Sequence, residues 1–235
     1  LGGADANEHA VKFARQASGR PHGWVIARDR SYHGASYAAM ALSGDARVSH
    51  QVEPRDFHVD HVPPPYAYRC PFGSTTDAEC AERSARAVGE AIDARGRDDV
   101  AAVLMEPNAG TNGIVPPDSW WPALRRVTRE RGVVLIADEV MSGFGRCGEW
   151  FAWQHWGVQP DLICFAKGVN SGYLPIGGVV INEAIAATFR DRVYPGGLTY
   201  SGHPLACASA VASINIFREE GIVEHARALG TDVIG

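Results

Sequence analysis

One stretch constrains the fold of this chain more than any other: Val133 to Gly168, VVLIADEVMSGFGRCGEWFAWQHWGVQPDLICFAKG. It holds two apolar runs, Val133–Ala137 and Leu162–Ala166, each with the length and composition of a buried strand. Each run ends on a charge, Asp138 after the first and Lys167 after the second. In an open parallel sheet, ligands bind at the carboxyl ends of the strands. A carboxylate and an amine placed there on neighbouring strands would face one crevice. The residues alone serve two readings equally: a reactive pair, or an ion pair that caps the sheet.

Further runs mark strands at Gly23–Arg28, Val100–Met105 and Val179–Ile181. Between them lie helical patterns. Ala10, Phe13, Ala14 and Ala17 recur at amphipathic spacing; Asp5 with Glu8 suggests a capping box and Gly19 a stop. Helices are also expected over Asp77 to about Arg95, over Pro117–Arg131 and from Pro204 onward. Val48 to Gly73 has no clear period and contains three consecutive prolines, so it reads as a long ordered excursion. His58 and His61 lie within it, but the setting is not helical and no third ligand is evident, so a structural reading outweighs a metal site. Trp150, Trp153 and Trp156 read as packing or interface residues, since nothing basic accompanies them.

With 235 residues, 46% of them hydrophobic and 21% charged, the chain can build one large α/β unit with ample core. A net charge of −5 gives no reason to expect nucleic acid or an anionic membrane as partner. No apolar run approaches a membrane span and no signal peptide opens the chain. The five cysteines are scattered, odd in number and form no CxxC pair, which suggests a reducing, cytoplasmic setting.

DEVMSGFGR followed by FAKG resembles the signature of the class III, pyridoxal-phosphate-dependent aminotransferases. Other spaced motifs agree. Gly2–Glu8 is similar to the family's SGSEAN phosphate loop, Ser31-Tyr32-His33-Gly34 to its SYHG, and Glu106-Pro107 to its Glu-Pro. Thr199 to Pro204 and the helix after it resemble its T-F-x-G-N-P-L-A element. The resemblance implies an α/β chain with the fold-type-I large domain, a three-layer α/β/α sandwich on a mostly parallel seven-stranded sheet. It covers residues 1–235 as one domain, with the family's small-domain segments absent.

The same resemblance implies the site. Lys167 would anchor pyridoxal 5'-phosphate and act as general base and acid, while Asp138 would partner the pyridine nitrogen. Gly3 and Ala4 would meet the phosphate, with Ala4 lacking the family's serine hydroxyl. Tyr32 would stack on one ring face and Val140 pack on the other, with His33 and Glu106 close by. Thr199 would reach the phosphate bound by a second subunit, so the active site would exist only in a homodimer. A lysine ammonium is a poor base, so burial is expected around Lys167.

Transamination is the activity this implies. Thr111 stands where ornithine- and GABA-type members carry a glutamate. That favours the branch passing an amino group from an ω-amino acid, taurine or amine donor to pyruvate or a similar 2-oxo acid. Other pyridoxal-phosphate reactions on the same scaffold (aminomutase, racemase, decarboxylase) and a non-catalytic domain are the alternatives.

Overall fold

The computed structural model describes residues 2–48 and 57–231. Six strands form one sheet: β1 Trp24–Arg28, β2 Val59–Val62, β3 Val100–Met105, β4 Val134–Asp138, β5 Leu162–Phe165 and β6 Gly178–Ile181. Their order is β2-β1-β3-β4-β5-β6; all neighbours are parallel except β5 and β6. Among the described residues the sheet therefore has six strands rather than the expected seven. It ends at β6, whose one hydrogen-bonded neighbour is β5.

Every residue of β3 is buried, as a central strand covered on both faces requires. Alternation then sorts the sheet into two cores. On one face Ile26, Val103 and Leu135 meet α3 (Asp77–Arg95) and α4 (Trp120–Glu130). On the other, Val25, Leu104 and Ile136 meet Ala6, Ala10 and Ala14 of α1 (Gly3–Ala17). The result is the expected three-layer sandwich. Trp120 and Trp121 are fully buried, and Trp156 stacks on Trp121 with ring centroids 6.0 Å apart, so that tryptophan packs as expected. The remaining helices are α2 (Tyr37–Leu42), α5 (Glu183–Ala187), α6 (Pro204–Glu219) and α7 (Ile222–Leu229).

Three local expectations change. The excursion from Val48 to Gly73, part of which lies outside the described residues, contains β2, which pairs with β1 from Val25↔Val59 to Arg28↔Val62. Its sequence Val-Asp-His-Val is half polar because it is an edge strand, so no apolar run announces it. Its histidines serve packing: His61 Nε2 lies 3.1 Å from the Leu42 carbonyl oxygen, and the His58 ring sits 4.9 Å from Trp24. Helix α1 starts at Gly3, two positions before the expected cap, and its N-cap Gly2 makes no side-chain bond. Glu8 instead accepts from Ser36 Oγ at 2.5 Å and from the N–H groups of Ala38 and Ala39, so it caps α2 rather than its own helix. Helix α4 starts at Trp120 rather than Pro117. The chain's last residues, 232–235, lie outside the described residues.

Asp93 ties α3 to α4. It accepts from Arg131 Nη2 at 2.8 Å and Arg97 Nε at 2.7 Å, and these bonds hold its carboxyl down at about 2. A depressed carboxyl stabilises the fold above its ordinary value and loses that contribution as pH falls toward the folded one. Asp93→Asn is therefore expected to flatten the acid limb of a stability–pH curve between about 4 and 2. The change should be small, because the pair is partly exposed. Thermal melts at stepped pH measure it.

Candidate active site

Strands β4 and β5 are parallel neighbours, with Asp138 opposite Cys164 in register. Asp138 ends β4, and Lys167 follows β5 by two residues, so both reach the carboxyl edge of the sheet. They line one cavity of about 290 Å³, together with Gly3, Ala4, Tyr32 and His33. Glu106 and Val140 line it as well. Eight of the nine residues expected at the site thus meet in a single hollow. Thr199 is the exception: it is exposed and lies outside that lining.

Asp138 is 3% exposed and held from three sides. Asn7 Nδ2 donates to its Oδ2 at 2.7 Å, and the Val140 N–H donates to Oδ1 at 3.0 Å. His33 Nδ1 lies 2.7 Å from Oδ2. A carboxylate only accepts, so the tautomer that makes this a bond carries its proton on Nδ1. Nε2 of His33 is buried and has no hydrogen-bond partner among the described residues. The same Asn7 amide also donates to the His33 carbonyl at 2.9 Å and so fixes both residues.

Glu106, which lines the cavity, forms a second buried pair with Arg28, Nη2 to Oε2 at 2.8 Å, with the Arg28 and Glu106 side chains 1% and 4% exposed. Burial pushes the Glu106 carboxyl above its ordinary range against the pull of His33 and Arg28. Burial likewise lowers Arg28, against Glu106. Behind the wall, fully buried Glu139 accepts from the N–H groups of Ala152 (3.0 Å) and Trp153 (2.9 Å) and from Ser142 Oγ. Those bonds fold the loop after β4 back on itself. Burial still leaves the Glu139 carboxyl raised.

Lys167 departs from expectation in one respect: it is exposed, not enclosed. Its backbone is constrained, with φ of 38°. Non-glycine residues at positive φ also stand at Arg30, Phe144 and Ser171, in the loops around this edge. Such backbone costs about 1–3 kcal/mol per residue and concentrates where side-chain placement matters. A second hollow of about 600 Å³ adjoins the first and shares Val140, Met141 and Lys167 with it; Phe217 of α6 and Ile222 of α7 form its far wall.

The start of α1 opens into the cavity at Gly3 and Ala4. Free N–H groups and the dipole make a helix start an anion site. Glycine is required at position 3, because a Cβ there would come within 2.9 Å of Val140 Cγ1. Gly34, at φ 137°, likewise backs Ala4, where an added Cβ would meet Ala4 Cβ at 2.5 Å. An anion cradle, a fixed carboxylate, an amine and an aromatic ring around one hollow fit pyridoxal phosphate in charge and shape. Three contributors escape sequence reading: Asn7, Arg28 and Glu139. The signal that could have found them is the placement of polar side chains next to strand ends and inside motifs.

The chain belongs to the class-III aminotransferases: that family's sequence model matches residues 2–234. It is 38% identical over 232 residues to the putrescine–pyruvate aminotransferase of Pseudomonas aeruginosa, covering 96% of this chain and 51% of that protein. Among solved structures it superposes with a TM-score of 0.91 on a thermostable (S)-enantioselective omega-transaminase of Thermomicrobium roseum, 41% identical, covering 98% of this chain and 53% of that one. An amine transaminase from an uncultivated Pseudomonas species, solved in its PLP-bound form, gives a TM-score of 0.91 at 36% identity, covering 98% and 54%. The chain spans about half the length of these relatives. Among its described residues, no helix is long and apolar enough to cross a membrane.

Proposed function

We propose that the protein is a pyridoxal-phosphate-dependent aminotransferase that passes an amino group from an amine, ω-amino acid or taurine donor to a 2-oxo acid such as pyruvate. The observation that carries this reading is the convergence of Asp138 and Lys167, from neighbouring parallel strands, on the hollow into which α1 starts. Family membership supports it, and so does a relative acting on putrescine and pyruvate. The acceptor assignment rests on that relative and on Thr111 in the place of the glutamate of the ornithine- and GABA-type members.

Gly3 and Ala4 would hold the phosphate through backbone N–H groups, and Tyr32 and Val140 the two faces of the ring. When bound, the cofactor supplies an electron sink that acidifies the C–H beside the donor nitrogen. Asp138, aligned by Asn7, His33 and the Val140 N–H, would face the pyridine nitrogen. Lys167 would anchor the cofactor and then, with Nζ free, take the proton from the donor carbon and return it. Its exposure calls for a cover over Nζ when the donor is bound. A second copy of the chain, bringing Thr199 to its neighbour's phosphate, completes the proposal as a homodimer.

Asp138→Asn is the test. It keeps the side chain's size but replaces an acceptor by an amide beside the Asn7 donor. Single-turnover absorbance with pyridoxal phosphate and an amine donor is expected to show proton transfer slowed by about 10²-fold or more, with cofactor still bound. Unchanged turnover would sink the assignment.

A further inference from the structure

Tyr32 is half-buried and lines the cavity, and a guanidinium lies over its ring: Cζ of Arg47 stands 4.6 Å from the ring centroid. Arg47 is not among the residues lining that hollow, so it covers the ring from the side turned away. A cation over an aromatic face is held there by the ring's quadrupole.

The backbone shows why the two meet. Residues 44–48 are laced to the residues just before Tyr32. The Arg30 N–H donates to the Gly44 carbonyl at 2.7 Å, and the Gly44 N–H donates to Ser31 Oγ at 3.2 Å. Only glycine fits at position 44, because an added Cβ would collide with the Arg28 carbonyl oxygen. The chain then turns through Ala46–Val48, closed by the Val48 N–H on the Asp45 carbonyl at 3.0 Å. Asp45 directs the arginine. Its Oδ1 accepts from the Arg47 backbone N–H at 2.9 Å and from Nε at 2.8 Å, and its Oδ2 accepts from Nη2 at 3.3 Å. A paired grip of this kind fixes the plane of a guanidinium, which a single contact would leave free to rotate. Asn112, in the loop after β3, braces the carboxylate: Nδ2 donates to Asp45 Oδ2 at 3.3 Å and to the Arg30 carbonyl at 2.8 Å. The bonds from Arg47 hold the Asp45 carboxyl down at about 2, so the ion pair is present throughout the neutral range.

We propose that Arg47 is a positioning residue for the cofactor: gripped by Asp45, its guanidinium holds the Tyr32 ring in the plane it presents to the cavity and so raises the affinity for pyridoxal phosphate. The inference rests on the reading of the cavity proposed above and deepens it. A half-buried ring left free would lose rotational freedom when a ligand stacks on it, and a ring already clamped has less to lose. The Asp45 carboxylate balances the guanidinium, so the clamp adds no net charge beside the hollow.

The test measures pyridoxal phosphate affinity by absorbance titration of the folded chain, in a double-mutant cycle. Arg47→Gln is expected to weaken binding about 2–5-fold, the range of an exposed cation–ring contact. Arg47→Lys is expected to recover part of that loss, and Asp45→Asn, which loosens the grip, to weaken binding in the same direction. The coupling separates positioning from a general structural role. In Tyr32→Leu, which has no ring to clamp, adding Arg47→Gln is expected to change the affinity no further; in Tyr32→Phe, which keeps the ring, its full effect should persist. Should Tyr32→Leu fail to fold, the comparison of Arg47→Gln with the unmodified chain and the Tyr32→Phe pair decide. The inference is overturned if Arg47→Gln binds as tightly as the unmodified chain, or if it weakens binding equally with and without the Tyr32 ring. Unchanged binding in Arg47→Gln leaves the reading of the cavity standing, whereas an unmodified chain that binds no pyridoxal phosphate overturns that reading and this inference with it.

Discussion

Lys167→Ala is expected to abolish turnover with every amine donor and to remove the covalent adduct that borohydride would trap on the unmodified chain with pyridoxal phosphate. Loss of a positioned general base alone costs about 10²–10⁴-fold in rate, and here the same Nζ is also the anchor. The chain makes the experiment clean, because Lys12 is its one other lysine. Lys12 sits on α1 and is absent from the cavity lining. Fold stability should change little: Lys167 is exposed, and alanine keeps the Cβ, so the cost of φ at 38° is the same in both. The expected stability difference is within about 0.5 kcal/mol. Visible absorbance, borohydride reduction and peptide mapping read the outcome. A reduced adduct on Lys12, or undiminished turnover, would remove Lys167 from the mechanism.

What could be read from the sequence followed from burial, and what could not followed from distance along the chain. Strand β3 is legible because a strand covered on both faces must be apolar throughout, and VAAVLM is. Strand β2 escapes because an edge strand tolerates Asp60 and His61. Asp138 and Lys167 stand out because a charge after a buried run is conspicuous. Asn7 does not, because its value lies in a hydrogen bond from its side-chain amide to a carboxylate 131 positions away. The Glu8 error has the same origin. A glutamate three residues after an aspartate has the look of a local cap, yet its partners belong to α2, some 30 positions on. Local chemistry offers an interpretation that the tertiary fold then overrides.

Arg28 and Glu106 are another such link, 78 positions apart. Both side chains are nearly inaccessible, and Nε and Nη1 of Arg28 are buried without partners among the described residues. A pair with that much unmet hydrogen bonding gains little net stability, but breaking it leaves a charge stranded. Arg28→Met removes the cation and keeps an unbranched chain of carbon and sulfur in its place. It is expected to destabilise the fold by about 3–5 kcal/mol at neutral pH. Arg28→Met with Glu106→Gln should recover much of that loss, since no charge then remains buried. The pH dependence separates this account from a packing defect. Burial already raises Glu106, and without Arg28 it rises further, because a cation that favoured its ionised form is gone. A carboxyl raised in the folded state opposes folding above its folded value and ceases to do so as acid protonates it. The deficit of Arg28→Met relative to the unmodified protein should therefore shrink as pH is lowered, and the double variant should show no such recovery. Urea unfolding of the four proteins at neutral and mildly acidic pH completes the cycle. A deficit independent of pH would mean that Arg28 contributes by volume, and that the charge on Glu106 is balanced by His33 rather than by the arginine 2.8 Å away.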